Sequence, residues 1–88
     1  MGMSKKTVHE LKILPLYFDK VRFGEKRFEI RKADREYKVG DILRLKEWDV
    51  GYYTGEEIDV VVRYILHDFE FPDGIKPGYC IMAIDTMV

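Results

Sequence analysis

Apolar and polar residues alternate over several short stretches of this chain, which is the pattern of strands with one buried face. The alternation is strictest in the second stretch, which reads Arg-Phe-Glu-Ile-Arg. The fourth stretch is the longest and is dense in Val and Ile, so it is predicted to lie at the centre of a sheet. The predicted strands are residues 7–14, 26–32, 41–48, 57–67 and 79–85.

One short segment has helical periodicity instead. Pro15 stands where helices often begin, and Gly24 is typical of the residue that follows a helix C-terminus. The apolar residues around and between them have helical spacing: Leu14, Tyr17, Phe18 and Val21. A helix of about two turns is therefore predicted over residues 15–22.

Turn-forming residues separate these elements. Residues 50–55, with two glycines and two tyrosines, predict a loop or a hairpin connection between the third and fourth strands, and residues 68–77 carry Pro-Asp-Gly and Lys-Pro-Gly. A small five-stranded sheet tends to curl, because closure removes its unpaired edges. The predicted fold class is mainly β (α+β): a small, partly open mixed barrel with the helix plugging one end.

Length and composition indicate a single folded domain over residues 1–88, with 47% hydrophobic and 35% charged residues. The one cysteine, Cys80, lies in an apolar run and is predicted to be a buried small hydrophobe. Two histidines and one cysteine show no metal-ligand spacing, so neither a metal nor a cofactor is predicted. No apolar stretch reaches the length of a membrane span, and the expected location is cytoplasmic.

Charge is distributed unevenly along the chain. Residues 1–35 hold ten Lys/Arg and five Asp/Glu, whereas residues 36–88 hold five and eleven, so balances of +5 and −6 give the net −1. A basic half favours anionic partners on that side. The alternative is that the two halves neutralise one another across the folded surface.

The most highly charged segment of the basic half is GEKRFEIRK, residues 24–32. In a regular strand Glu29 and Arg31 share one face, opposite to the two apolar residues of the segment. Lys26 has the opposite parity. It can join the other two only if it lies in a turn just after Gly24, or if a bulge intervenes.

The spacing G-x-K-x-x-E-x-R, here Gly24, Lys26, Glu29 and Arg31, resembles the signature of ASCH domains, which are small β-barrels of the PUA-like superfamily. The resemblance extends over roughly residues 9–84 and is strongest to an uncharacterised ASCH-like family common in phages and Gram-positive bacteria. The segments that carry it are His-Glu-Leu-Lys (9–12), Glu-Ile-Arg-Lys (29–32), Asp34-Arg35, Val-Gly-Asp (39–41) and Tyr-Thr-Gly (53–55).

The resemblance implies a cleft between helix and barrel that holds RNA or a nucleotide-like ligand. By the motif, Lys26, Glu29 and Arg31 would line it. Phosphate would be met by Lys26, Arg31, Lys32 and Arg35, and Glu29 would accept a hydrogen bond from a base or ribose. Further contacts implied by the narrower family or by their position are His9, Lys32, Asp34 and Arg35. For His9 the alternative is a hydrogen-bonded core histidine.

Three more residues are candidates by their neighbourhood. Trp48 and Tyr53 lie beside basic residues, where they would either stack nucleobases or close a barrel end. Glu47 shares parity with two buried leucines and is predicted to reach the interior or the cleft mouth and to meet Arg31 or Arg35.

Function is predicted to be binding of RNA or a nucleotide, without a membrane partner. The isoelectric point of about 6.1 favours a short single strand or a mononucleotide over long duplex. The alternative is a small amidohydrolase acting on a modified nucleoside such as acylated cytidine, with Lys26 and Glu29 as acid/base groups. Hydrolytic ASCH proteins have Thr where this chain has Glu29, so no catalytic residue is predicted. A protein–protein interaction module is the third possibility, and no oligomeric state is predicted.

Overall fold

The computed structural model describes residues 6–87, which form one five-stranded sheet and one α-helix. Along the sheet the strand order is β1-β3-β4-β5-β2, so the longest strand is central, as predicted. The pair β1–β3 is parallel and the other three pairs are antiparallel. The elements are β1 (Val8–Ile13), α1 (Pro15–Arg22), β2 (Phe28–Lys32), β3 (Ile42–Asp49), β4 (Tyr52–His67), a 3₁₀ turn (Asp68–Glu70) and β5 (Tyr79–Thr86).

The sheet curls into a half-barrel whose two edge strands, β1 and β2, come close to each other. The guanidinium of Arg31 on β2 donates a hydrogen bond of 2.8 Å to the main-chain oxygen of Lys12 on β1. The two edges are thus joined by a side chain instead of a backbone ladder. The predicted fold class, a small, partly open mixed barrel with one helix, is confirmed.

The core lies on the concave side of this sheet and follows the alternation of the strands. Every second residue of β1 and β5 is buried, and α1 adds two residues from one of its faces. The fully enclosed side chains are Phe18, Val21, Leu43, Leu45, Val60, Val62, Cys80 and Met82. Cys80 is 1% exposed, as predicted, and burial raises the pKa of its thiol. A thiol in this environment is not a nucleophile.

The helix ends as its sequence predicts. The N–H groups of Gly24 and Glu25 donate to the carbonyls of Val21 and Lys20, at 3.0 and 2.8 Å, which is the hydrogen-bond pattern of a Schellman motif. Gly24 has φ of +78°, a conformation that glycine adopts without steric cost. The N–H of Lys26 also donates to the Lys20 carbonyl, so the turn continues to Lys26.

Two predicted boundaries are wrong. The strand predicted over residues 26–32 begins only at Phe28, because the helix-capping turn occupies the residues before it. The connection predicted over residues 50–55 is a hairpin, one of the two predicted alternatives, but its turn comprises only Val50 and Gly51, and β4 begins at Tyr52 instead of residue 57. Both turn residues have positive φ, 40° and 97°, which matches the twist of a tight hairpin.

Candidate functional site

A cleft of about 600 Å³ lies at the open edge of the half-barrel, between the end of β1, the helix and β2. It occupies the place where the curled sheet is closed by side chains instead of by a strand pair. The lining residues are Lys12, Ile13, Leu14, Tyr17, Lys20, Glu25, Lys26, Phe28, Glu29, Ile30 and Arg31.

The carboxylate of Glu29 stands at the base of this cleft and is held by two cations. Its Oε1 accepts from Arg31, whose Nε and one terminal nitrogen both lie at 2.9 Å, and its Oε2 accepts from the ammonium of Lys26. The Glu29 side chain is 3% exposed, whereas those of Lys26 and Arg31 are 17% and 22% exposed. A buried carboxylate is therefore covered on its solvent side by two positive charges.

The predicted convergence of these three side chains on a cleft beside the helix is confirmed, and so is the turn that it required. Lys26 precedes the strand, in the turn that follows Gly24, and so is not bound by strand parity. Glu29 and Arg31 share the concave face of β2, opposite Met82 and Cys80 of β5. Whether the three side chains contact a ligand remains a prediction.

Several N–H groups of these cations are left over for a ligand. Among the described residues, Lys26 donates to Glu29 and, at 2.7 Å, to the main-chain oxygen of Phe28, which uses two of its three N–H groups. Arg31 uses Nε and one terminal nitrogen for Glu29 and Lys12. The other terminal nitrogen of Arg31 carries two further N–H groups. Fixed donors with spare N–H groups suit an anionic oxygen.

The walls of the cleft combine positive charge with aromatic surface. Four cations and two carboxylates line it, which gives a net charge of +2. One carboxylate, Glu25, is paired with Lys20 at 2.9 Å on the exposed rim. The ammonium of Lys26 lies 4.9 Å from the ring centroid of Phe28 and 5.8 Å from that of Tyr17. An anion and a planar ring could both be accommodated here.

The two aromatic residues of the cleft were missed by sequence reasoning. Tyr17 has the spacing of a core residue of the helix, yet it is 45% exposed, and Phe28 is also 45% exposed. On β2 the polar Glu29 points inward and the apolar neighbours point outward, the reverse of the usual arrangement. The signal for this inversion was the motif itself, which places a lysine, a glutamate and an arginine within six residues.

His9 does not line the cleft. It is 6% exposed in the core, where its Nε2 lies 2.8 Å from Oδ2 of Asp41 and its ring centroid lies 4.7 Å from that of Tyr37. Asp41 Oδ2 also accepts the N–H of Lys38 at 2.9 Å. The structure thus places His9 in a hydrogen-bonded core cluster, which was the alternative to a ligand contact.

Three residues predicted to contact the ligand are not among those that line the cleft, and their contact with a ligand stays a prediction: Lys32, Asp34 and Arg35. They follow the part of β2 that forms the wall, and the chain there turns towards the β5 side, where the Ala33 N–H donates to the Gly78 carbonyl. Asp34 and Arg35 are exposed and lie 3.9 Å apart as a surface ion pair.

Glu47 does not meet Arg31 or Arg35 as predicted. Its Oε1 accepts the hydroxyl of Thr54 at 2.7 Å across the hairpin. A shift of register between Lys46 and Trp48 sets Glu47 apart from the regular alternation of β3. The parity argument therefore does not apply to this residue.

Trp48 and Tyr53 are not lining residues, but they adjoin the cleft through Lys12. The ammonium of Lys12 lies 3.9 Å from the centroid of the Trp48 ring, and Lys12 itself lines the cleft. Within residues 6–87, no cluster of three or more His, Cys, Asp or Glu side chains is arranged to hold a metal ion. The same part of the chain contains no helix long and apolar enough to cross a bilayer.

Fold and site together define a small curled β-sheet domain with a cationic, aromatic-walled cleft at its open edge. Residues 8–84 match the family described as a domain of unknown function, DUF3850, and the chain belongs to that family. It is 48% identical over 52 residues to the "Uncharacterized 12.9 kDa protein in GpA 3'region" of Escherichia phage P2. Those residues are 59% of this chain, and they span about half, 48%, of the phage protein. The expected relationship to phage proteins is thereby confirmed.

Proposed function

We propose that the protein is a binding module for RNA or a nucleotide, and that its ligand occupies the cleft beside Lys26, Glu29 and Arg31. The observation that carries the proposal is the arrangement of the two cations. Both are fixed by one buried carboxylate, and both retain N–H groups for a further acceptor. Fixed donors lose little conformational entropy when they bind an anion, and a guanidinium matches the geometry of phosphate oxygens.

The walls of the cleft favour a nucleotide over a simple anion. The rings of Phe28 and Tyr17 stand near the Lys26 ammonium, so a phosphate at Lys26 places an attached base within reach of an aromatic surface. Base–aromatic stacking contributes about 1–3 kcal/mol per base and depends little on base identity. The resemblance of the motif to that of ASCH domains supports the same ligand class and, more narrowly, a PUA-like assignment.

The geometry supports binding better than amidohydrolysis. Both oxygens of Glu29 accept hydrogen bonds from the two cations and the side chain is only 3% exposed, so a water molecule or a substrate hydroxyl has little room to approach it. The hydroxyl of Thr54, which stands in a second recognised motif, is hydrogen-bonded to Glu47 on the hairpin. A nucleophile beside a free base is the usual requirement for such hydrolysis.

Arg31→Ala is expected to weaken binding of a short oligouridylate and to reduce its salt dependence. The log–log salt slope falls by about 0.7 for each lost phosphate contact with a single strand. Titrating fluorescently labelled oligouridylate at several salt concentrations gives both the affinity and the slope. Circular dichroism of the variant establishes that it is folded under the same conditions.

The matched control is Arg27→Ala. Arg27 lies four residues away, pairs with Asp85 at 3.0 Å and is not part of the cleft lining. The Arg27→Ala substitution should change neither the log–log salt slope nor the affinity for oligouridylate beyond the small effect of one distant charge. Equal losses in the two variants, or no loss in either, would show that nucleotide binding does not occur in this cleft.

A further inference from the structure

A second group of cations and aromatic rings adjoins the cleft on the β3–β4 hairpin. The Trp48 and Tyr53 rings pack edge to face, with centroids 4.8 Å apart and planes at 76°. Besides Lys12 over Trp48, Lys46 places its ammonium 4.8 Å from the Tyr53 ring. We refer to these four residues, Lys12, Lys46, Trp48 and Tyr53, as the hairpin platform.

Strand pairing assembles the hairpin platform from three strands. Lys12 on β1 is the parallel partner of Lys46 on β3, and Trp48 on β3 is the antiparallel partner of Tyr53 on β4. Tyr53 is 47% exposed, and the Lys12 residue is also exposed. Trp48 and Lys46 are half-buried, so the platform is partly open to solvent and rests on regular secondary structure.

Lys12 belongs to both the cleft and the hairpin platform. Its main-chain oxygen accepts from Arg31 at 2.8 Å, and its ammonium lies 3.9 Å from the Trp48 ring. Lys46 has a carboxylate partner, Glu10, at 3.6 Å. Lys12 has none within residues 6–87, so its charge is held only by the aromatic faces. The single residue Lys12 therefore spans from the cleft to Trp48.

We infer that the ligand is a single strand of RNA longer than one nucleotide, with one base in the cleft and a following base stacked on Trp48. This inference rests on the proposed function and selects a strand over a mononucleotide. The Lys12 ammonium would leave the Trp48 ring for the phosphate between the two bases. The aromatic surface of the cleft and the Trp48 ring lie on either side of the Lys12 ammonium. This order of ring, cation and ring matches the order of base, phosphate and base along a single strand. A duplex keeps its bases stacked on each other and offers none to these rings.

Trp48 is the only tryptophan of the chain, so its fluorescence reports on the hairpin platform directly. The probes are uridine 5′-monophosphate and the di- and tetranucleotides of uridine, with affinity measured independently by calorimetry. The monophosphate is expected to bind without quenching Trp48. The tetranucleotide is expected to quench it and to bind about tenfold more tightly, the effect of one additional stacked base.

Two variants complete the test. Trp48→Ala should lose about tenfold in affinity for the tetranucleotide and keep its affinity for the monophosphate, and Trp48→Phe should retain most of the affinity for both. Equal affinities for both ligands, without quenching of wild-type Trp48, would overturn the inference and leave the proposed function intact. Failure of both ligands to bind the wild-type protein would refute the proposed function as well. The quenching of Trp48 fluorescence is measured in the wild-type protein, so this part of the test does not depend on whether a variant folds.

Discussion

Glu29→Gln is expected to lower the free energy of unfolding by about 3 kcal/mol, because removal of one partner from a buried ion pair leaves uncompensated charge. The carboxylate is 3% exposed and is shared by Lys26 and Arg31, which are themselves mostly covered. A glutamine amide has nearly the same shape, but its NH₂ group turns a second donor towards one of the two cations. The loss therefore reports on charge and not on packing.

Urea unfolding measures this change as a shift of the midpoint at constant slope. Glu25→Gln is the matched control, because Glu25 also pairs with a lysine but is 61% exposed on the cleft rim. Surface pairs of this kind contribute about 0–1 kcal/mol, so the control should remain close to wild type. A Glu29→Gln variant as stable as the control would contradict the structural role given to the buried carboxylate.

Phe28→Ala is expected to weaken binding of oligouridylate about 30-fold, which corresponds to about 2 kcal/mol of lost base stacking. The ring is 45% exposed and lies at the cleft beside Lys26, so its removal should affect the ligand more than the fold. The salt slope should stay unchanged, because no charge is removed. Arg31→Ala and Phe28→Ala thus test phosphate and base contacts separately in one titration.

Phe23→Ala provides the comparison for Phe28. Phe23 is a second exposed phenylalanine, 70% accessible, at the helix C-terminus and outside the cleft lining. The Phe23→Ala variant should bind oligouridylate with the same affinity as the wild type. If the two variants have equal affinities, the stacking surface is not at Phe28.

The sequence predicts the strands and the helix well, because their alternation and spacing depend on local physics. It predicts poorly which face of β2 is buried. Phe28 and Ile30 are 45% and 55% exposed while Glu29 is buried, since Arg31 on the same strand face and Lys26 in the preceding turn compensate the carboxylate. That compensation depends on the helix-capping turn, which carries Lys26 to the cleft. Local hydrophobicity contains no information about it.

The composition of the cleft was only partly predictable for the same reason. The motif gives Lys26, Glu29 and Arg31, which are close in sequence. Lys12 joins them because β1 and β2 meet across the open edge of the curled sheet, and Tyr17 joins them because α1 lies beside the same cleft. The early start of β4 was not predicted because Val50 is not a usual residue of a tight turn with positive φ. The two-residue turn of the β3–β4 hairpin pairs Trp48 with Tyr53.

A nucleotide is expected to bind in the cleft at the open edge of the sheet. The most direct test of this binding is a titration of isotope-labelled protein with uridine 5′-monophosphate, followed through the amide NMR signals. The largest shift changes are expected at residues 12–14, 17, 20 and 25–31, which line the cleft. The absence of changes there, or larger changes on the acidic part of β4 at residues 56–59, would contradict binding in the cleft.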